Sequence, residues 1–205
     1  MVTPTTTRRS ATLPALIYVL GAFGIVTGSY GALHALESVA LFTKPHEVYV
    51  KMVTANNEPL KQFVAVPDLE RYDAREAEAR YGRRNAALPL AGVGLILSSL
   101  MFVGAMRAMR GDGWGLSAWS FAALASIPYQ LVNLALTLVM ARDLGKAVAE
   151  LPLPAQMIVG NLQLMVSIVL CGVAVLYYGV CAIYLRSPAV RRAFSDGAAR
   201  TPPSA

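Results

Sequence analysis

Apolar residues along this chain gather into four long blocks, separated by polar stretches of unequal length. The blocks cover about residues 13–42, 86–106, 116–140 and 157–185. A helix needs about 20 mostly apolar residues to cross a bilayer, and each block meets that length. The pattern predicts an all-α fold: a four-helix bundle integral to a membrane, in one domain. The first and fourth blocks are long enough to tilt or to project beyond the lipid.

The connections differ. The second, "RGDGWG", is a glycine-rich turn. The third, "ARDLGKAVAELPLPAQ", holds one amphipathic turn before Pro152 and Pro154. The first, residues 43–85, is the one sizeable polar region and is expected to be a partly helical, extracytoplasmic loop. Its early part mixes Val48, Val50, Met52, Val53, Leu60, Phe63 and Val64 with charges, so it either lies on the membrane surface or folds over the bundle. Pro67 and Asp68 then start a charged helix through about Tyr81, with Asp68 as N-cap. Within it Glu76 and Arg80 have the i, i+4 spacing of a helical ion pair. The helix points into the second membrane helix, with an interruption at Gly82.

Composition strengthens the membrane reading. Of 205 residues, 56% are hydrophobic and 15% charged, and the mean hydropathy is +0.50. Soluble domains carry about 25% charged residues. The net charge of +6 does not indicate nucleic acid, because the basic residues cluster at the ends of apolar blocks rather than on a polar domain.

Those basic residues also set an orientation. Arg8, Arg9, Arg107, Arg110, Arg186, Arg191, Arg192 and Arg200 flank one side of the bundle, while the short third connection has Arg142 and Lys146. Short basic flanks stay inside, so both termini, including the tail at 186–205, are expected in the cytoplasm. Tyr18, Trp114, Trp119, Tyr178 and Tyr184 would form an aromatic belt at that interface. The first block is much longer than a signal-peptide core and is read as an uncleaved helix. The arginine- and alanine-rich style suggests a bacterial inner membrane.

Inside the blocks runs a seam of small and polar residues. Gly21, Gly24, Gly28 and Gly31 recur at spacings of three and four in the first, and Gly94 keeps a similar rhythm in the second. Small residues let membrane helices approach closely. Pro128, inside the third block, removes a backbone donor and is expected to kink that helix.

Ionisable groups inside a membrane are costly and draw attention. At 100° per residue, Tyr30, His34 and Glu37 share one face of the first helix. Gln130, Asn133 and Gln163 are the polar positions that would face them across the bundle. The set reads either as an interfacial polar cluster or as an intramembrane site for a proton, ion or ligand. Only His34 and His46 are histidines, too few for a recognised zinc or haem spacing, so neither metal nor cofactor is expected. Cys171 and Cys181 lie about 15 Å apart along one helix and cannot bridge each other. No serine-hydrolase, zinc-protease or phosphate-loop signature occurs.

The leading expectation is therefore a non-enzymatic accessory, scaffold or complex subunit, acting through helix packing and its outer loop. Its partners would be the bilayer and either a second membrane protein or another copy. The alternatives are a small transporter or channel component using the polar face, and a membrane-embedded enzyme or redox subunit.

Overall fold

The computed structural model describes residues 14–198; Arg8, Arg9 and Arg200 lie outside them. Among the described residues there is no strand. The helices are α1 (Ala15–Phe42), α2 (His46–Asn56), α3 (Val66–Gly82), α4 (Arg84–Met109), α5 (Gly113–Ala149), α6 (Leu153–Gln156), α7 (Gln163–Leu185) and α8 (Pro188–Ala198). A 3₁₀ turn, Glu58–Gln62, precedes α3, and a π-helical segment, Met157–Leu162, joins α6 to α7. Four stretches are long and apolar enough to span a membrane: α1, α4, α5, and α6 through α7.

The spans pack in series, α1 on α4, α4 on α5, and α5 on α7. Near the two chain ends the packing is tight. Ile17, Leu20, Met101, Ala105, Trp119, Ala123, Cys181 and Leu185 form one core there. Close approach depends on missing side chains. A Cβ on Gly28 would lie 2.8 Å from the Phe102 nitrogen and the Ser98 carbonyl oxygen of α4. One on Gly104 would lie 2.7 Å from the Trp119 nitrogen of α5. Gly21 meets Met109, Gly24 meets Ala105 and Trp119, Gly31 meets Ser98, and Gly94 meets the Tyr129 hydroxyl.

Trp119 does not belong to an interfacial belt. It is 0% exposed, wedged where Gly24 and Gly104 leave room. Trp114 and Tyr18, by contrast, are exposed near the same end. The chain end beyond α7 is also structured: α8 lays Val190 and Phe194 into the bundle core.

The α4–α5 turn is built locally. Gly111 takes φ +84°, a region open to glycine. The Asp112 carboxylate accepts from the Trp114 N–H at 2.9 Å and caps α5. Arg107 pairs with Asp112 at 2.5 Å and lies 4.8 Å from the Trp114 ring centre.

At the opposite end α2, the 3₁₀ turn and α3 form a cap. Helix α5 does not stop near Met140; it continues to Ala149 and carries the cap. Its 37 residues rise about 55 Å, well beyond a hydrocarbon layer of about 30 Å. The charged residues of this stretch disguise a buried stripe: Leu144, Ala147 and Leu151 face inward. Leu60, Val64, Leu69 and Tyr72 pack with Ala147, Leu151 and Ala155 into a second, smaller core. The early loop thus folds onto the end of α5 and onto α6. Arg75 pairs with Glu150 at 3.3 Å, and Arg83 pairs with Asp143. The Gln156 amide donates to the Leu151 and Ala149 carbonyls at 2.6 and 3.2 Å, closing the turn after α5.

Helix α3 begins at Val66, two residues before Asp68. Asp68 makes no capping bond; Pro67 fits the first turn, where no amide is needed, and Asp68 follows it there. Helix α5 runs unbroken through Pro128, which is exposed.

Candidate functional site

Tyr30 and His34 do come together, their rings parallel within 6° and 6.3 Å apart. They stand on an uncovered flank of α1, with Tyr30 72% exposed and His34 and Glu37 exposed beside it. Among the described residues, neither the His34 ring nitrogens nor the Glu37 carboxylate has a hydrogen-bond or ion-pair partner. The Gln130 backbone carbonyl accepts from the Cys171 thiol of α7 at 3.6 Å. Asn133 is half-buried, and its carbonyl accepts from the Thr137 hydroxyl at 3.0 Å. The Gln130 contact joins α5 to α7 and the Asn133 contact stays within α5, so neither reaches the stripe on α1. The side chain of Gln163 lies outside the described residues. Among the described residues no group of three or more His, Cys, Asp or Glu is gathered closely enough to hold a metal ion.

The flank carrying Tyr30 has a definite place. Near the chain ends it meets α7 through Tyr177, whose hydroxyl donates to the Leu20 carbonyl at 3.1 Å and whose ring lies 6.4 Å from Phe23. At 100° per residue, Phe23, Thr27, Tyr30, His34, Glu37 and Leu41 follow one another along the same side of α1. On α7, Val173, Leu170 and Val166 continue the side of Tyr177, and all three are exposed. Tyr177 against Leu20 at one end, and Leu41 beside Ile158 and Val159 at the other, bracket these exposed faces of α1 and α7, and helical geometry implies a groove between them.

The groove reaches a polar cluster that the sequence alone does not announce. The Asn57 amide donates to Asp73 at 2.8 Å and to Glu76 at 2.9 Å. Arg80 donates from Nε to Glu76 at 2.8 Å, completing the i, i+4 pair. Asp73 and Glu76 are both buried. Burial pushes the Asp73 carboxyl above its ordinary range, against the opposing bonds from Asn57 and Thr54. Burial, reinforced by Glu76, likewise raises Tyr72.

Beside this cluster, Tyr49 is 1% exposed and packs 5.6 Å from Tyr81 and 6.2 Å from Phe42. Its hydroxyl is buried and has no hydrogen-bond partner, and burial pushes its pKa up to about 12 despite nearby Arg80. Tyr81 in turn receives the His46 ring at 4.9 Å and the Arg84 guanidinium at 4.1 Å.

A cavity of about 370 Å³ lies where these elements meet the end of α1 and the π-helical segment. Tyr49, Asn56, Asn57, Glu76 and Arg80 form its polar side. Leu41, Met52, Val53, Leu60, Ile158 and Val159 form its apolar side. Ligand pockets commonly measure about 300–1,000 Å³. A smaller hollow of about 250 Å³ between α3 and the end of α5 is lined by Asp68, Arg71, Arg75 and Glu150, among others.

Of this cluster the sequence pattern marks only the Glu76–Arg80 pair; Tyr49, Asn57, Tyr72 and Asp73 carry no signal of their own, because their convergence requires α2 to fold back on α3. The π-helical segment is a second unanticipated feature, and such segments recur at functional sites.

Four apolar helices packed together place the chain in the class of multi-pass helical membrane proteins. Comparison with family models, curated proteins and solved structures finds no match.

Proposed function

We propose that this chain is a non-enzymatic subunit or accessory protein of a bacterial inner membrane, with both termini cytoplasmic and the cap outside. The observation that carries the reading is the cap. Connections longer than about 12–15 residues usually either serve a function or stay unstructured. Residues 43–85 instead build a platform with its own core, tied to α5 by Arg75–Glu150 and Arg83–Asp143. That platform presents Phe63 and Val66, both exposed, to whatever binds above the bilayer. The basic residues at the chain-end side support the orientation.

A photocrosslinking residue at position 63 tests this in intact membranes. One discrete product is expected there and none from position 93, an exposed valine on α4. A blank at position 63, together with solute movement by the purified chain alone, would overturn the subunit reading.

The open stripe of Tyr30, His34 and Glu37 supports a second reading, a small transporter or channel component. Under it, Glu37→Gln abolishes a proton- or ion-coupled flux in proteoliposomes. An unchanged flux removes Glu37 from any such mechanism.

A further inference from the structure

We infer that the cap cavity is a binding site for an uncharged, lipid-like amphiphile that enters from the bilayer along the α1–α7 groove. The inference does not depend on the subunit reading.

Three independent observations lead there. The first is the division of the cavity wall. Its polar residues come from α2, the 3₁₀ region and α3, whereas Leu41 and the pair Ile158–Val159 belong to the membrane spans. A molecule filling it has its oxygen-bearing end among amides and a phenol, and its apolar end toward lipid.

The second is the continuity of that apolar side with the groove. Leu41 closes the exposed flank that begins at Phe23 and Thr27, and Val166, Leu170 and Val173 line the facing side of α7. From Thr27 to Leu41 the groove is about 21 Å long at 1.5 Å per residue, room for one extended acyl or isoprenoid chain.

The third is the Tyr49 hydroxyl. A buried hydroxyl without a partner is destabilising, and native structures rarely leave one so. Tyr49 is among the cavity's lining residues and its hydroxyl is closed off from water, so an acceptor oxygen on a bound molecule would satisfy it once the wall shifts to admit that oxygen.

Charge selects the head group. The polar side holds one cation, Arg80, already engaged by Glu76, with Asp73 buried immediately behind. An anionic head would meet Glu76 without a free cation to balance it. A cationic head would displace Arg80 from its pair. A carbonyl, ester or hydroxyl head accepts from Tyr49 and Asn56 at no such cost.

The test uses the full chain in phosphatidylcholine nanodiscs with a diazirine-bearing monoacylglycerol, and maps adducts by peptide mass. Adducts are expected to concentrate around Leu41, Met52 and Val159. Tyr49→Phe, which keeps the ring packing, lowers that labelling about five-fold, the worth of one net hydrogen bond. Val159→Trp fills the mouth and removes the labelling, while adducts at lipid-exposed Ile183 stay unchanged in both variants. Unlabelled monoacylglycerol competes; oleate and stearylamine do not. Labelling that is uniform along the exposed helix faces and ignores both substitutions reports ordinary surrounding lipid, and the site is then wrong. Oleate competing as well as the monoacylglycerol overturns the uncharged head.

Discussion

The two ends of this molecule solve the same packing problem with opposite chemistry. At the chain-end side, helices meet through absent side chains: Gly28 against the α4 backbone, Gly104 and Gly115 across the α4–α5 contact. The charged contacts there, such as Arg107–Asp112, sit in the α4–α5 turn at the rim, and inside the seam the fully buried Trp119 fills the remaining volume. At the cap, helices meet through ion pairs and a shared amide, and they enclose empty space. In lipid, close backbone approach is what holds helices together, since apolar surface alone gives no preference for protein over lipid. Outside lipid, charge and hydrogen bonding become available. They tolerate a cavity that a dispersion-packed seam would not.

The largest effect is expected at the tight end. Gly28→Leu pushes a side chain into the α4 backbone and should cost about 3 kcal/mol or more, read by thermal unfolding in detergent. Gly172→Leu, with nothing within 4 Å of its Cβ, should stay within about 1 kcal/mol of the parent and on its stabilising side. Equal losses at both positions would show that close approach to the α4 backbone is not what makes Gly28 necessary.

The next effect belongs to the cap. Asn57→Ala strips a hydrogen bond from each of two buried carboxyls and should cost about 2 kcal/mol at neutral pH. Its pH dependence has a definite sign. Burial raises the folded pKa of Asp73, so the stability tied to this group is full below the ordinary carboxylate value and is lost as pH rises through the folded one. Removing Asn57 raises that folded value further. The variant's deficit should therefore widen as pH rises through the folded Asp73 value, which lies above the ordinary carboxylate range, and flatten once Asp73 is ionised in both proteins. A deficit independent of pH would show that Asn57 does not bond an ionised Asp73.

The smallest effect is expected at the cap's exposed rim. Arg75→Ala breaks a half-exposed pair with Glu150 and should cost under about 1 kcal/mol, less in high salt.

How much of this was legible depends on what kind of interaction carries it. Four spans follow from uninterrupted apolar length, which the bilayer alone enforces. The α4–α5 turn follows from Gly111 and Asp112, whose effects are local. The start of α3 was misplaced by two residues because Asp68 resembles a cap, while Val66 and Pro67 already satisfy the first turn. The extension of α5 was hidden because Arg142, Asp143, Lys146 and Glu150 look like a loop until the buried side of Leu144, Ala147 and Leu151 has something to cover it. The shared face of Tyr30, His34 and Glu37 could be computed from helical angle, but not the groove it borders, since that depends on where α7 lies. The cavity was invisible for the same reason: Asn57, Asp73 and Tyr49 are distant in sequence and meet by tertiary closure.

The cap's core also fixes an order of events during synthesis. Leu60 to Tyr72 wait for Ala147, Leu151 and Ala155, which are made 75 to 95 residues later. At about 5–20 residues per second that interval lasts roughly 4 to 19 seconds. Through it, Val64, Leu69 and Tyr72 have neither lipid depth nor their final partners. The ribosome must deliver the whole of α5 before the segment written ahead of it can settle.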